Sequence, residues 1–465
     1  MDVAIAELDN LQADSLPTGW SWTTLGSVLP LSYGKALPER MRLASGRFPV
    51  YGSSGPVGKH VEAIAPPSSI IVGRKGSAGA VFYSEEASWP IDTAYFTAGT
   101  EAIDIRYGYW FLQFRDLGRL DQSTAIPSLS RDLYNPVTIP LAPLPEQRRI
   151  VARIDELFAE IAAGEAALAD ARKGLETFRR ALLKAAATGE LTNGWRDKYS
   201  LAEPRRTGEP NDGGSNSETT SLANLPQGWR WTKVGDLLEF VTSGSRGWKQ
   251  YYANEGAIFV RAQNINSGIL DLSDVAFVRL PPNAEGLRTR LRPDDILVTI
   301  TGANVTVSAR VTEALPEAYV NQHVALLRPK EPEAAAWILL WLQAYGAGKS
   351  QLEKAAYGAG KPGLNLDNIR EVEIAVPSHP ESIEILRRVS AALLAADETL
   401  TSLESEAADA ARLKQAILKS AFEGRLVPQD PADEPASALL ARIAAERAAE
   451  PVKRGRGKRS AGKTA

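Results

Sequence analysis

LPTGWSWTTLG at residues 16–26 returns as LPQGWRWTKVG at residues 225–235, with Pro17, Gly19, Trp20, Trp22 and Gly26 matched at an offset of 209. Two tryptophans kept at one spacing are not a chance match, and self-similarity at long range is the signature of a fold built twice. The repeat continues along the chain. AIPSLSRDL from Ala125 pairs with GKPGLNLDN from Gly360, Pro145 and Glu146 pair with Pro380 and Glu381, and ALLKAAATGEL from Ala181 pairs with AILKSAFEGRL from Ala416, all at an offset of 235. The second copy therefore carries 26 more residues (235 − 209), all between the Trp motif and the Pro-x-Leu motif, where almost nothing matches. The frame is duplicated while the filling differs.

Each copy reads as a globular half followed by one long helix. In the first half, β-rich runs at residues 69–72 and 80–83 are punctuated by glycine turns, and residues 109–114 suit a helix. The second half has strand-like runs at 257–261, 295–300 and 324–327, then a helical stretch at 334–344. Pro145 suits a helix start and Gly189 a stop. Between them Ile154, Ile161, Leu168, Leu175 and Leu182 recur on sevens beside Ile150, Leu157, Gly164, Ala171 and Phe178. The second helix repeats the pattern with Leu386, Leu393, Leu400 and Ala407 beside Val389, Ala396, Leu403, Ala410 and Ile417. Sustained heptads predict helices packed on each other. About 42 residues at 1.5 Å each give a rod of roughly 63 Å.

Residues 189–224, with NDGGSNSETT among them, read as a flexible linker whose coil span of about 33 Å is too short to return along that rod. The second half is therefore expected at the far end of the first helix, its own helix running back antiparallel. The predicted fold class is mixed α/β (α+β): two globular domains separated by two long antiparallel coiled-coil helices in a pseudo-twofold duplication. The expected order is a first domain at 1–145, its helix at 146–188, the linker at 189–224, a second domain at 225–380, its helix at 381–424, and a short helix with a basic tail at 425–465.

The chemistry that is missing narrows the function. There is no cysteine, so disulfide scaffolds, thiolate nucleophiles and zinc–thiolate sites drop out. His60, His323 and His379 are scattered, and no HExxH occurs, so no metal site is predicted. GAGKS at residues 346–350 lacks the strand and the first glycine of a P-loop. No carboxylate stands two residues before any lysine, which excludes a PD-(D/E)xK nuclease, and neither Pro-Pro pair, at Pro66 or Pro281, has the setting of an amino-methyltransferase motif. Apolar runs such as residues 337–342 are far short of a bilayer span, and residues 1–10 lack a leader pattern, so a cytoplasmic address is expected. Lys and Arg number 53 against 56 Asp and Glu, so any nucleic-acid binding must come from local patches.

What remains is polar, glycine-rich and aromatic. YGSSGPVG from Tyr51 and GRKGSAG from Gly73 place Tyr51, Ser53, Ser54, Arg74, Lys75 and Ser77 on turns that offer N–H groups and cations together, which suits phosphate contact. The second half offers Ser245 and Arg246 in GSRGWKQYY, Arg261, Gln263 and Asn264 in RAQNIN, Asn304 in TGANVT, and Lys361 in GKPGLNLDN. Asn, Gln and Arg are the side chains that read purine edges bidentately. These residues are the predicted DNA contacts. The tail, with Lys453, Arg454, Arg456, Lys458, Arg459 and Lys463, is expected to add only non-specific, salt-sensitive affinity.

At this point the sequence resembles the specificity subunit of type I restriction-modification systems over about residues 16–430. The resemblance rests on the LP-x-GW-x-W starts, YGSSGPVG, GRKGSAG, the run LRPDDIL from Leu291, NQHVALLRP from Asn321, the paired Pro-x-Leu motifs and LAPLPEQRRIVARIDELF. It implies two target recognition domains that each read half of an asymmetric bipartite sequence in double-stranded DNA. It also implies that modification (methyltransferase) subunits, two of them, dock on the helical region, with Glu146, Gln147, Arg148 and Arg149 as docking residues, and that a restriction subunit joins the full complex. The chain itself would be non-catalytic and bind no cofactor, S-adenosylmethionine belonging to the modification subunit. At PSHPESIEIL from Pro377 the family's Pro-x-x-Glu-Gln is degraded, which weakens docking on the second helix. Two other readings stay open: a free-standing DNA enzyme, which the purified chain alone cutting or methylating DNA would establish, and a coiled-coil adaptor, which sequence-specific DNA binding would remove.

If the helices set the separation of the half-sites, four residues added after Ala163 and four after Thr399 lengthen each rod by about 6 Å. That corresponds to about two base pairs of extra spacer. Methylome mapping of such a variant is expected to return both half-sites unchanged with the longer spacer. An unchanged spacer with retained activity would show that the helices are not the ruler.

Overall fold

The computed structural model describes residues 16–120, 127–200, 225–244, 246–266, 268–282, 284, 286–356 and 363–449. The chain divides into two compact units, one of Met1–Leu168 with Ser405–Ala465, the other of Ala169–Glu404. Each unit therefore takes part of both long helices, Leu144–Ala187 and His379–Phe422.

In the first unit the Trp motif forms β1 (Ser21–Thr24), antiparallel to β9 (Thr138–Leu141). The central sheet has the order β2 (Ser32–Tyr33), β8 (Ala94–Thr97), β5 (Ser69–Gly73), β6 (Val81–Ser84). All five residues of β5 are buried, the pattern of an inner strand covered on both faces. A second small sheet pairs β3 (Phe48–Gly52) antiparallel with β4 (Gly55–His60) and parallel with β7 (Trp89–Pro90). The helix Ile105–Phe114 starts four residues before the sequence pattern suggested, because Asp104 caps it by accepting from the backbone N–H groups of Arg106 and Tyr107. Its Phe111 and Phe114 pack with Tyr107 around Phe422, from the end of the second long helix.

In the second unit β10 (Arg230–Lys233) pairs with β21 (Glu373–Val376) as β1 does with β9. Its central sheet is ordered β11 (Leu238–Ser243), β20 (Val324–Pro329), β17 (Ile296–Thr299), β18 (Ser308–Arg310). The parallel pair β3·β7 returns as β13 (Ala257–Val260) with β19 (Ala318–Val320). Here β13 also carries β16 (Ala276–Val278), which pairs with β12 (Tyr252–Ala253), and a hairpin of β14 (Ile265–Asn266) and β15 (Ile269–Leu270) is added. The stretch where the two copies share almost no residues thus keeps one topology, and the extra length is spent on added strands.

Inside each unit the start of one long helix packs antiparallel against the end of the other. Ile150 and Ile154 share a core with Ile417, Leu418, Ala421 and Phe422. In the second unit Leu182, Ala186 and Ala187 share one with Ile385 and Val389. Away from these ends the seam is shallower: Gly164 and Ala171 are exposed and Phe178 is 45% exposed, although Ala396 is buried. The expected linker also begins later than its composition suggests, since residues 190–192 form a 3-10 turn and Asn193–Ser200 a helix.

The duplicated motifs meet at two equivalent corners. In the first unit the Trp20 indole donates to Glu146 Oε2 at 3.0 Å, and Gln429 Nε2 donates to Glu146 Oε1 at 3.2 Å. Gly424, which ends the second helix at a left-handed φ of 70°, packs so closely that a Cβ there would lie 2.3 Å from Pro17. In the second unit the Trp229 indole donates to Glu381 Oε2 at 2.8 Å, Thr192 donates to Oε1 at 2.7 Å, and Arg196 pairs with the same carboxylate. Gly189, at φ 74°, packs on Pro226 and Trp229. This explains why Pro-x-Gly-Trp and a Pro-preceded Glu recur together in the sequence.

Two expectations are corrected at these corners. Glu146 and Gln147 are 1% and 0% exposed and wholly engaged inside the unit, Gln147 holding Asp104 N and the carbonyls of Ala102 and Ala142, so they present no surface to a partner. Arg149 pairs with Asp433, and Arg148 alone of the four is fully exposed. The degraded motif at Pro377 keeps what matters to the fold, because Glu381 takes the place of Glu146. Burial raises the Glu146 pKa, with the Gln429 and Trp20 hydrogen bonds opposing it.

Candidate nucleic-acid interface

In the first unit the glycine loop after β5 is pinned by backbone bonds to two neighbours. Arg74 N donates to Thr93 O, Leu129 N donates to Arg74 O, and Gly76 N donates to Pro127 O. Gly73 is needed for this path, since a Cβ there would sit 2.0 Å from Ser77 O. The loop, the end of β2 and the segment before the short helix Arg131–Tyr134 enclose a cleft of about 270 Å³ lined by Tyr33, Arg74, Lys75, Tyr95 and residues 128–132. The Arg74 guanidinium lies 5.0 Å from the Tyr33 ring centre and 5.7 Å from that of Tyr95, and donates to Asp92 O at 3.0 Å. Arg131 lies 4.5 Å from the Tyr33 ring centre and donates to Leu31 O at 3.4 Å. Burial raises the Tyr95 pKa, with Tyr33 adding to the rise and Arg74 opposing it; the hydroxyl donates to Leu129 O.

Sequence reasoning found Arg74 and Lys75 here and missed Tyr33, Tyr95 and Arg131. Arg131 sits in AIPSLSRDL, one of the repeated motifs, but its own partner position is Leu366, so the repeat pattern gave it no emphasis. Ser54 and Ser77 are exposed and Ser53 partly so, all on turns. Tyr51 is corrected: it is buried with Ile71 and Ala94 against Phe82 and is a core residue.

In the second unit Arg246, Gln263 and Asn304 are exposed. Arg261 and Gln263 both reach Asp274. Asn264 is corrected: it is 3% exposed, accepts from Arg261 N and donates to the carbonyls of Asp271 and Asp274, so it builds the turn and cannot read a base. Ser245 and Lys361 lie outside the described residues, as do residues 450–465 with the basic tail.

Of the histidines, His60 is buried edge-on to Trp89 and bonded to Met41 O, and His323 bonds Thr301. Lys349 of GAGKS donates to Thr306, and a helix, Ala335–Gln343, precedes it, so it has no P-loop setting. Among the described residues no group of three or more acidic, histidine or cysteine side chains could hold a metal, and no helix is long and apolar enough to cross a membrane.

The two units repeat one frame but place different residues at the loop after the central strand: Arg74 in the first and Ile300 in the second. The profile of the type I restriction modification DNA specificity domain matches residues 17–169. The EcoBI specificity subunit of Escherichia coli is 27% identical over 406 residues, 82% of this chain and 80% of its own length. The EcoDI specificity subunit of the same organism is 23% identical over 471 residues, 97% of this chain and all of its own. A solved chain from work on assembly and conformational transition of the type I R-M system shares the fold, at a TM-score of 0.64 and 19% identity over 89% of this chain and all of that one. By these likenesses the chain is similar to the type I restriction-modification specificity subunits, and residues 17–169 match their DNA specificity domain.

Proposed function

We propose that this chain is the sequence-specific DNA-recognition subunit of a cytoplasmic type I restriction-modification complex. Each unit reads one half of an asymmetric bipartite site in double-stranded DNA. Modification subunits, two by the internal symmetry, dock on the helical region, where Arg148, Ile383 and Leu394 are exposed. Methylation with S-adenosylmethionine and cleavage fall to the modification and restriction subunits, and this chain supplies recognition without catalysis.

One observation carries the reading. The central sheets of the two units correspond in order and register, yet the cleft positions hold unrelated chemistry. By register, Tyr33 opposite Tyr95 corresponds to Ser243 opposite Ala325. Arg74, bonded to Thr93 and Leu129, corresponds to Ile300, bonded to His323 and Leu364. Two identical recognisers would read a palindrome; two that differ in this way read different sequences. Methylome sequencing of cells carrying the chain with a modification partner tests this. A motif of two unlike halves around a fixed spacer is expected, and inverted identical halves would overturn the asymmetric assignment.

A further inference from the structure

Two arginines share one tyrosine in the first unit's cleft. Tyr33 has Arg131 at 4.5 Å and Arg74 at 5.0 Å from its ring centre, with Lys75 exposed at the rim. Among the described residues neither guanidinium has a carboxylate within ion-pair distance, although Asp132 also lines the cleft. Gathering like charges without a counter-charge opposes folding through Coulomb repulsion, so the fold alone gives no reason for it. The second unit makes the point directly. It builds the same frame with Ser243, Ala325 and Ile300 at the matching positions and Leu366 in place of Arg131, where Asn365 caps the helix as Ser130 does in the first. Neither arginine is needed to hold the sheet, the loop or the short helix.

We infer that Arg74, Arg131 and Lys75, ordered by Tyr33, form a phosphodiester clamp of the first unit. The inference rests on the DNA-recognition reading above and goes beyond it in naming the ligand group. Each guanidinium spends one N–H on a backbone carbonyl, Asp92 for Arg74 and Leu31 for Arg131, and lies against the Tyr33 ring. The remaining N–H donors of two cations serve one acceptor. A guanine edge offers O6 and N7 to a single fork, whereas a phosphate carries a full charge and enough lone pairs for both forks and an ammonium. Such a contact fixes the register of the duplex and carries no sequence information.

The test uses the chain assembled with its modification partner and two duplexes of equal length, one carrying the motif from the methylome and one scrambled. Arg131→Leu and Arg74→Ile install the residues with which the second unit folds, and circular dichroism and hydrogen exchange verify the fold. Each substitution is expected to weaken binding to both duplexes by about tenfold and to lower the slope of log K against log salt by about one, with the methylated motif unchanged. Tyr33→Ser keeps the charges, so affinity should fall with the slope retained. Affinity and slope equal to wild type in both arginine variants would overturn the clamp, as would a loss confined to one base position, which would make the cleft a base reader. If the wild-type complex itself yields no motif, the recognition reading fails instead; a wild-type motif with indifferent arginine variants sinks the clamp alone.

Discussion

Glu381→Ala is expected to destabilise the second unit by about 3–5 kcal/mol, the cost of leaving one member of a buried ion pair without its partner. Glu381 is 2% exposed, and it accepts from the Trp229 indole and the Thr192 hydroxyl while pairing with Arg196, itself largely buried. Truncation removes the counter-charge of Arg196, which keeps only neutral partners in Gly189 O, Asn193 and Thr192, and leaves the Trp229 indole N–H without its acceptor. The matching Glu146→Ala should cost less, about 1–3 kcal/mol, because its bonded partners, Trp20 and Gln429, are neutral and its carboxylate already carries a burial penalty. Hydrogen exchange read by mass spectrometry localises both effects. Protection should be lost over residues 189–200 and 225–235 in the Glu381 variant, and to a smaller extent over 16–26 and 423–436 in the Glu146 variant. Equal losses at the two corners would show that the Arg196 charge contributes nothing.

These corners also show what a single sequence reveals and what it conceals. The repeat placed Trp20 with Trp229 and Glu146 with Glu381 in corresponding registers, because both members of each pair do the same job and so kept the same letters. It could not tell that the carboxylates face inward. Glu146 and Gln147 read as surface residues at a helix start, where acidic groups are usual on dipole grounds, but Trp20 and Gln429 enclose Glu146 and the 102–104 segment encloses Gln147. Arg196 was hidden for a similar reason: a charged residue in a stretch rich in charge, Gly, Ser and Asn reads as linker. In the cleft the difficulty is reversed. Arg74 stood out on its glycine loop, but Tyr33 and Tyr95 come from neighbouring strands, and cross-strand register is invisible when the strands are two and four residues long. The shared topology of the two domains was illegible for the same cause, since their inner strands obey only the rule of being apolar, which SIIVG and ILVT satisfy with different residues.

Arg328→Ala is expected to cost the second unit about 3–5 kcal/mol at neutral pH, with a loss that shrinks in acid. Asp295 is 0% exposed; Arg328 grips it through Nε to Oδ1 at 2.8 Å and Nη2 to Oδ2 at 2.7 Å, and Arg292 N donates to Oδ2 at 2.7 Å. The pair ties LRPDDIL to NQHVALLRP, two motifs of the family resemblance, through neighbouring strands β17 and β20. Burial nonetheless raises the Asp295 pKa, with the Arg328 hydrogen bonds as the chief opposing influence. A carboxyl raised in the folded state binds more protons folded than unfolded between 3.8 and its raised value, so its contribution to stability falls as pH rises through that window. Without Arg328 the pKa climbs further and the window widens upward. The variant should therefore show its full deficit at neutral pH and recover relative to the parent as pH drops through the new pKa, where Asp295 becomes a neutral, hydrogen-bonded acid. Adding Asp295→Asn, which still accepts from Arg292 N and carries no charge, should restore most of the loss at neutral pH and remove its pH dependence. Denaturant unfolding of the parent and the two variants across pH 4–8 checks this: a deficit in Arg328→Ala that stays constant over the range would mean that the stranded carboxylate is not its source, and that Arg328 acts through its contacts with Phe240 and Arg290 O instead.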